Sequence, residues 1–549
     1  MFKKKGVALG VNDFKTLLRE DNYYIDKTNL IKEILEDKSA VKLFTRPRRF
    51  GKTLNMSMLK YFFDVKNAEE NRELFNNLDI EKSEYIEEQG KYPVIFISFK
   101  DIKQKNWNGC LEAVGILIAT LFKEYREIVK ELDEFDYPVF MKYATQNASY
   151  EELKLSLKFL SDILYRYYKK EVVLLIDEYD TPIVSSYENG YYNEAMDLFR
   201  GMYSAGLKDN NSLKAGIMTG ILRIAKEGIF SGLNNLAVYT ILDNQYSEYF
   251  GLTEKEVKEA LDCYGLEYDI NKIKLWYDGY KIGKSEVYNP WSILNYLSRK
   301  EIEAYWVNTS NNYFINDLLK NASTNLFDEL KSVFNNENIE KIIDKHSNLD
   351  VITNPQEVWQ LLLYSGYLTV EEKLDMDLYR LRIPNEEIKT FFKKSFIDKF
   401  LGNMSSFKKM IDGLIKEDIA EYEKHLQDIL TISMSYHDSD KSEEKFYHNL
   451  ILGMILSLDG NYHVSSNRES GNGRYDLKIE PVIKNKAGYI FEFKVADSEN
   501  KLEEKAKEGL EQIKDKEYTL EMKKNGTENI LGLGIAFYKK KVKIVYEKI

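Results

Sequence analysis

The sequence predicts an α/β protein in three blocks, and three observations lead there. Up to about residue 240, short apolar runs alternate with longer helical patterns, the signature of a largely parallel sheet covered by helices. Residues 241–440 are mostly helical by pattern, with one hairpin-like section. Residues 441–549 return to strands around a charged helix. The 549 residues suffice for several domains, and we place the blocks at 1–240, 241–440 and 441–549.

In the first block the candidate strands are Val41–Phe44, Val94–Phe99, Val172–Ile176 and Ala215–Thr219. In the second, Tyr367–Leu374 and Leu378–Ile383 flank a turn at Asp375-Met376-Asp377. Helical stretches at Glu357–Tyr364 and Asn385–Phe400 complete the helix–hairpin–helix order of a winged helix. Such a unit serves as a lid or a docking surface as readily as a DNA reader. The third block opens with an amphipathic helix and continues through strands near Tyr462–Ser465, Tyr475–Ile479 and Tyr489–Lys494. Ile530–Phe537 and Val542–Tyr546 close the chain.

Composition narrows the function classes. Apolar residues make up 44% and charged residues 30%, as in an ordinary globular protein. No apolar run approaches the roughly 18 residues of a membrane span, and the opening residues do not read as a signal peptide. With Cys110 and Cys263 alone, neither a disulfide framework nor a cysteine zinc site is expected. A cytoplasmic location and no membrane partner follow as expectations. The net charge of −11 argues against a surface that is basic throughout. Residues 441–549 nevertheless hold 20 Lys/Arg against 18 Asp/Glu, so the acidic excess lies elsewhere and a local nucleic-acid contact is compatible.

The segment Val41–Thr53 runs from a strand into a helix and ends in Gly51-Lys52-Thr53. Phosphate binding needs backbone N–H groups at a helix N-terminus, a lysine for the outer phosphates and a hydroxyl for Mg²⁺. This tripeptide supplies all three. Arg46, six positions before Lys52, stands where such loops usually carry their first glycine. An incidental Gly-Lys-Thr at a helix start would look the same. The buried run Val172–Ile176 ending in Asp177-Glu178 favours the nucleotide reading. It describes a parallel strand delivering carboxylates at its C-terminal end, Asp177 for the metal and Glu178 for an attacking water. Thr219 ends a further strand and Arg223 follows it, placed to sense a γ-phosphate and offset transition-state charge.

Near the C-terminus, Glu492 and Lys494 are two apart in Tyr489-Ile490-Phe491-Glu492-Phe493-Lys494 and share one strand face. Pairing with Tyr475-Asp476-Leu477-Lys478-Ile479 as a hairpin lets Asp476 meet Glu492 across the sheet. Two acids and a lysine suit metal-dependent phosphodiester cleavage: the carboxylates hold a hard cation and the lysine orients water. An exposed strand of alternating charge gives the same tripeptide. The seating of Glu492 among apolar residues and the presence of Asp within a strand weigh against that. Glu444 on the preceding helix adds a carboxylate, and Gln512 and Tyr518 on a later helix can face the same site. Ser466–Arg474 is a basic, turn-rich loop through which Arg468 and Arg474 can approach a phosphate backbone.

Together these motifs resemble bacterial AAA-ATPase-like proteins with a C-terminal PD-(D/E)xK nuclease-superfamily domain. The carrying residues begin with Val11-Asn12-Asp13-Phe14, Tyr24-Ile25-Asp26-Lys27-Thr28 and Arg46-Pro47-Arg48-Arg49-Phe50-Gly51-Lys52-Thr53. Leu175-Ile176-Asp177-Glu178-Tyr179-Asp180, Trp276-Tyr277-Asp278-Gly279-Tyr280 and Tyr288-Asn289-Pro290-Trp291-Ser292 follow. Phe446-Tyr447-His448, Ser466–Gly471, Arg474-Tyr475-Asp476 and Glu492-Phe493-Lys494 carry the nuclease-like end.

The resemblance implies a P-loop NTPase parallel sheet, a helical, winged-helix-like middle region and a restriction-endonuclease-like α/β domain. It makes the arginine at position 46 normal for the loop. It also implies Asp476, Glu492 and Lys494 as the nuclease motif, with Glu444 its helix acid.

The expected activity is ATP binding and hydrolysis coupled to metal-dependent cleavage or processing of nucleic acid, DNA first, in defence or mobile-element biology by analogy. Arg49, Gly51, Lys52, Thr53, Asp177, Thr219 and Arg223 contact the nucleotide, and Glu178, Asp476, Glu492 and Lys494 are catalytic. Thr53 and Asp177 serve Mg²⁺ in the first block. Glu444, Asp476 and Glu492 serve Mg²⁺ or Mn²⁺ in the third. Self-association into a homo-oligomer stays open. The alternative is an ATP-dependent regulatory or scaffold protein whose nuclease-like domain binds nucleic acid or protein without cutting. A cleaving enzyme whose NTP site binds but hardly hydrolyses is a third reading.

Overall fold

The computed structural model describes residues 5–208, 210–223, 235–307, 338–344, 355–400, 404–433, 461–466, 469–470, 473–483 and 486–549, with isolated residues near 326–333 and 450–458. They form two compact units: Met1–Thr309 with Lys341–Tyr379, and Ser310–Glu340 with Arg380–Ile549. The helical middle block of the sequence is thus shared between the two.

The first unit is built on five parallel strands: β1 (Val41–Thr45), β2 (Val94–Ser98), β3 (Val172–Asp177), β4 (Leu213–Gly220) and β5 (Leu236–Tyr239). Their order is β2-β3-β4-β1-β5. Alternation along β3 explains the layers on either side. Leu174 and Ile176 pack into a core with Val114, Ile118, Leu160 and Met202 from the helices Trp107–Lys123, Tyr150–Tyr168 and Tyr192–Leu207. Val173 and Leu175 enter a second core with Leu30, Met56, Leu59 and Phe62 from Asn29–Glu36 and Lys52–Phe63. A sheet buried on both faces reads as continuous apolar runs, which is why these strands are visible in the sequence. Only β5 escapes that reading, because its four residues are half-exposed.

A short hairpin follows, β6 (Tyr280–Ile282) with β7 (Ser285–Val287), then β8 (Ile339–Ile342), β9 (Thr369–Lys373) and β10 (Leu378–Arg382). Pro355–Tyr364, β9, β10 and Glu386–Phe400 keep the helix–hairpin–helix order, and β8 adds a third strand in the order β8-β10-β9. Among the described residues, no helix is long and apolar enough to cross a membrane.

The second unit carries β11 (Tyr462–Ser466), β12 (Glu469–Ser470), β13 (Gly473–Arg474), β14 (Leu477–Pro481), β15 (Gly488–Val495), β16 (Ile530–Tyr538) and β17 (Lys541–Lys548). The main sheet runs β11-β14-β15-β16-β17, with β15 and β16 parallel and the other pairs antiparallel. Glu444 lies outside the described residues; of the expected opening helix, Leu450, Gly453, Met454, Ser457 and Leu458 are described and are helical. Asp476 falls one residue before β14 and not within a strand.

Helix Leu502–Asp515 lies on β15 and β16 at unusually close range, because two glycines face each other. A Cβ on Gly534 would stand 1.9 Å from Ala506 O, and one on Gly509 would stand 3.2 Å from Glu492 O. This approach sets where the helix holds Gln512. Gly534→Ala is therefore expected to destabilise the second unit by about 1–3 kcal/mol. In Gly509→Ala, a gain in helix propensity of about 1 kcal/mol offsets a milder clash. Denaturant midpoints check this, and equal midpoints for Gly534→Ala and wild type would contradict the packing.

Candidate functional sites

After β1 the chain turns through residues 46–51 and enters the helix Lys52–Phe63. Two residues take left-handed backbone to make the turn, Arg49 at φ 65° and Gly51 at φ 79°. Position 46 makes no such demand, so a glycine is not required there. Arg46 is fully buried and serves a different purpose. Its guanidinium donates to the carbonyls of Thr45 (2.9 Å), Tyr239 (2.8 Å) and Tyr246 (3.3 Å), and it lies over the Phe250 ring. Burial lowers its pKa to about 9.

The turn is gripped from outside as well. Phe50 meets the Tyr280 ring edge-on, Trp306 Nε1 donates to Arg48 O at 3.0 Å, and Gly366 leaves room for Pro47. Lys52 is buried and donates to Arg46 O (3.0 Å) and Pro47 O (2.7 Å). Burial pushes its pKa down, while the charges of Glu178, Asp180 and Asp177 pull it back.

Strand order brings the remaining groups together. Because β4 lies between β1 and β3, the end of β4 sits between the loop and the acids that follow β3. Asp177 is fully buried and wrapped in hydroxyls. Thr219 donates to Oδ1 at 2.6 Å; Thr53 and Ser98 donate to Oδ2 at 2.9 and 3.3 Å. Burial raises the Asp177 pKa, and the bonds from Thr219 and Thr53 act against that. Glu178 has left-handed backbone at φ 52° and accepts from Thr181 Oγ1 at 3.1 Å.

Thr53, Lys52, Asp177, Glu178 and Thr219 therefore converge. Arg49 does not join them, since its guanidinium stacks on Trp291 with 4.3 Å to the ring centroid. Arg223 lies just past β4, and its charge acts on Tyr364. Asp180, part of the Leu175–Asp180 motif but without a role assigned from sequence, stands here too. It is 2% exposed and accepts from the N–H groups of Ile221 (2.9 Å) and Leu222 (2.8 Å), while Tyr179 donates to Leu222 O at 2.7 Å. Its place in the Asp177–Asp180 run was the available signal, because a buried acid needs donors.

In the second unit, β14 separates from β15 beyond the Leu477↔Phe491 pair. Asp476 is next in line, opposite Glu492, and its carboxylate takes up the Phe493 N–H at 2.7 Å. Glu492 is 4% exposed. Its Oε1 accepts from Lys494 Nζ (3.1 Å) and Gln512 Nε2 (2.5 Å), and Lys494 donates to Gln512 Oε1 at 2.6 Å. Gln512 also reaches Tyr518 OH at 3.4 Å. Glu492 Oε2 is buried without a hydrogen bond of ordinary geometry, although the Asp476 N–H pulls weakly on this carboxylate.

Burial, then the charge of Asp476, raises the Glu492 pKa to about 7. The pKa of Asp476 is raised too, by burial, against the bond from Phe493 and the charge of Lys494. Two carboxylates that resist ionising together, with a buried oxygen short of donors, are a donor set suited to a hard divalent cation. Among the described residues, no group of three or more His, Cys, Asp or Glu is gathered for a metal. The short β12–β13 pair lies in the basic loop, of which Arg468 falls outside the described residues.

Comparison with known proteins agrees with this division. Residues 8–230 match the family described as "Predicted AAA-ATPase", and residues 442–547 match the PD-(D/E)XK nuclease superfamily. The chain is also 26% identical over 551 residues to a protein of Azotobacter chroococcum mcd 1 described as "Uncharacterized protein in vnfD 5'region". The match covers 97% of this chain and 96% of that protein.

The titration of Glu492 gives a test of the site. Its folded pKa near 7 exceeds the ordinary 4.5, so the fold favours the protonated acid. The stability this contributes is full below about pH 4.5 and is lost as pH rises through 7. Subtracting the profile of Glu492→Gln from that of wild type isolates this loss from other buried acids. Mg²⁺ added at pH 7 is expected to release protons in wild type and not in the variant. Superimposable profiles of denaturant midpoint against pH would remove Glu492 from a buried, coupled site.

Proposed function

We propose that the protein binds and hydrolyses ATP through its first unit and cleaves nucleic acid, DNA in the first instance, with a divalent metal in its second. The observation that carries this reading is the facing pair Asp476 and Glu492 beside Lys494, in a chain that also turns a phosphate loop toward Asp177.

The groups divide the work in a chemically ordinary way. Thr53 and Asp177 would hold Mg²⁺ beside the phosphates, Lys52 would move from the loop carbonyls to phosphate oxygens, and Glu178 would orient water. Thr219 fixes Asp177 by hydrogen bond. In the second unit Asp476 and Glu492 would hold Mg²⁺ or Mn²⁺, which supplies a nucleophilic water and neutralises developing charge. Lys494 and Gln512 hold the Glu492 carboxylate in place, and Lys494 is poised to steady that water.

The test is a Mg²⁺/Mn²⁺-dependent cleavage assay on DNA and RNA, with and without ATP. Glu492→Ala is expected to lose cleavage by about a hundredfold or more while ATP turnover persists, because groups acting as one unit fail together. Lys52→Ala is expected to abolish ATP binding in a folded protein. Nucleic acid bound but not cut by wild type would favour a scaffold over an enzyme. Unchanged ATP affinity in folded Lys52→Ala would end the nucleotide reading.

A further inference from the structure

We propose that Arg48, and not its neighbour Arg49, supplies the guanidinium that meets the outer phosphates of a nucleotide in the Gly51–Thr53 loop, while Arg49 anchors the turn. This rests on the reading of that loop as a nucleotide site.

Three arginines occupy the turn, and two are already committed. Arg46 is fully buried, and its two terminal nitrogens donate to the Thr45, Tyr239 and Tyr246 carbonyls. Arg49 adopts φ 65°, unusual for a side-chain-bearing residue. Its guanidinium carbon lies over the Trp291 ring, 4.3 Å from the centroid, a cation–π contact. That contact offsets the cost of the left-handed backbone and directs the side chain toward the helix Pro290–Arg299.

Arg48, exposed like Arg49, has neither the burial of Arg46 nor, among the described residues, the ring contact of Arg49. Its carbonyl is fixed by Trp306 Nε1, yet its side chain is exposed, and among the described residues it makes no ion pair. Its charge acts on Lys52 and on Glu188. Glu188 ends the helix Thr181–Glu188, which begins just after the Asp177–Glu178 strand end. Lys52 Nζ is bonded to the carbonyls of Arg46 and Pro47, so the next residue of the turn, Arg48, starts beside that ammonium.

Charge balance gives it a task there. Lys52 is a single ammonium facing Asp177, Glu178 and Asp180. A triphosphate adds further negative charge to the same small space, and one Mg²⁺ with one lysine leaves it in excess. An arginine fork binds phosphate oxygens in pairs and keeps its charge on desolvation, which suits it to the γ-phosphate.

The test compares Arg48→Ala, Arg48→Lys and Arg49→Ala in the full chain, with ATP and ADP affinities by calorimetry in Mg²⁺ and thermal midpoints alongside. Arg48→Ala is expected to weaken ATP about tenfold more than ADP with an unchanged midpoint, and Arg48→Lys to recover part of that. Arg49→Ala is expected to lower the midpoint and keep the ATP/ADP ratio. A wild-type ratio in Arg48→Ala, or loss of ATP preference in Arg49→Ala alone, overturns the assignment. Wild type binding neither nucleotide overturns the nucleotide reading itself and this assignment with it.

Discussion

A carboxylate removed from water must find donors, and in the first unit that demand falls on Asp177. Its partners come from the loop helix, from β2 and from β4, through Thr53, Ser98 and Thr219. One buried acid thus ties together four elements of the sheet and its flank. The strand order serves this tie, because β4 between β1 and β3 supplies the hydroxyl that bridges the loop side to the acid side. Remove the acid and three hydroxyls lose their common acceptor. Keep it, and the strand end is oriented before any ligand arrives.

The second unit solves a related problem differently. β14 leaves β15 early, which frees the Phe493 N–H, and the carboxylate of Asp476 takes that place. The residue that repairs the ladder is also the one set opposite Glu492. Gly509 and Gly534 then let the helix come close enough for Gln512 to bond both Glu492 and Lys494. Backbone repair, close packing and site geometry are three aspects of one local arrangement.

Much of the fold was legible because sheets buried on both faces leave long apolar runs, as at Val172–Ile176. The half-exposed β5 left no such run. Side-chain alternation alone put Glu492 and Lys494 on one face, and the two are in contact. What alternation could not show was that Asp476 stands just outside its strand, since the splay there depends on the sheet as a whole. The fates of Arg46 and Arg49 were equally hidden. One is committed to carbonyls near residues 239–246 and the other to Trp291, partners that no spacing within the loop reveals. Asp180 belongs to the Leu175–Asp180 motif, but its carboxylate caps the exit of β4, a contact between elements that the motif alone does not reveal.

The grip on the loop has a consequence for how the chain matures. Arg48 O is bonded to Trp306, 258 residues later, and Arg46 to Tyr246, 200 residues later. During synthesis the loop and its helix emerge early, Tyr246 arrives before half the chain has been made, and Trp306 arrives only after it. Contacts this distant in sequence form late, after large loop-closure costs. A nucleotide taken up as proposed above would bind the finished loop alone and so favour the state in which the late-made support has closed on the early-made turn.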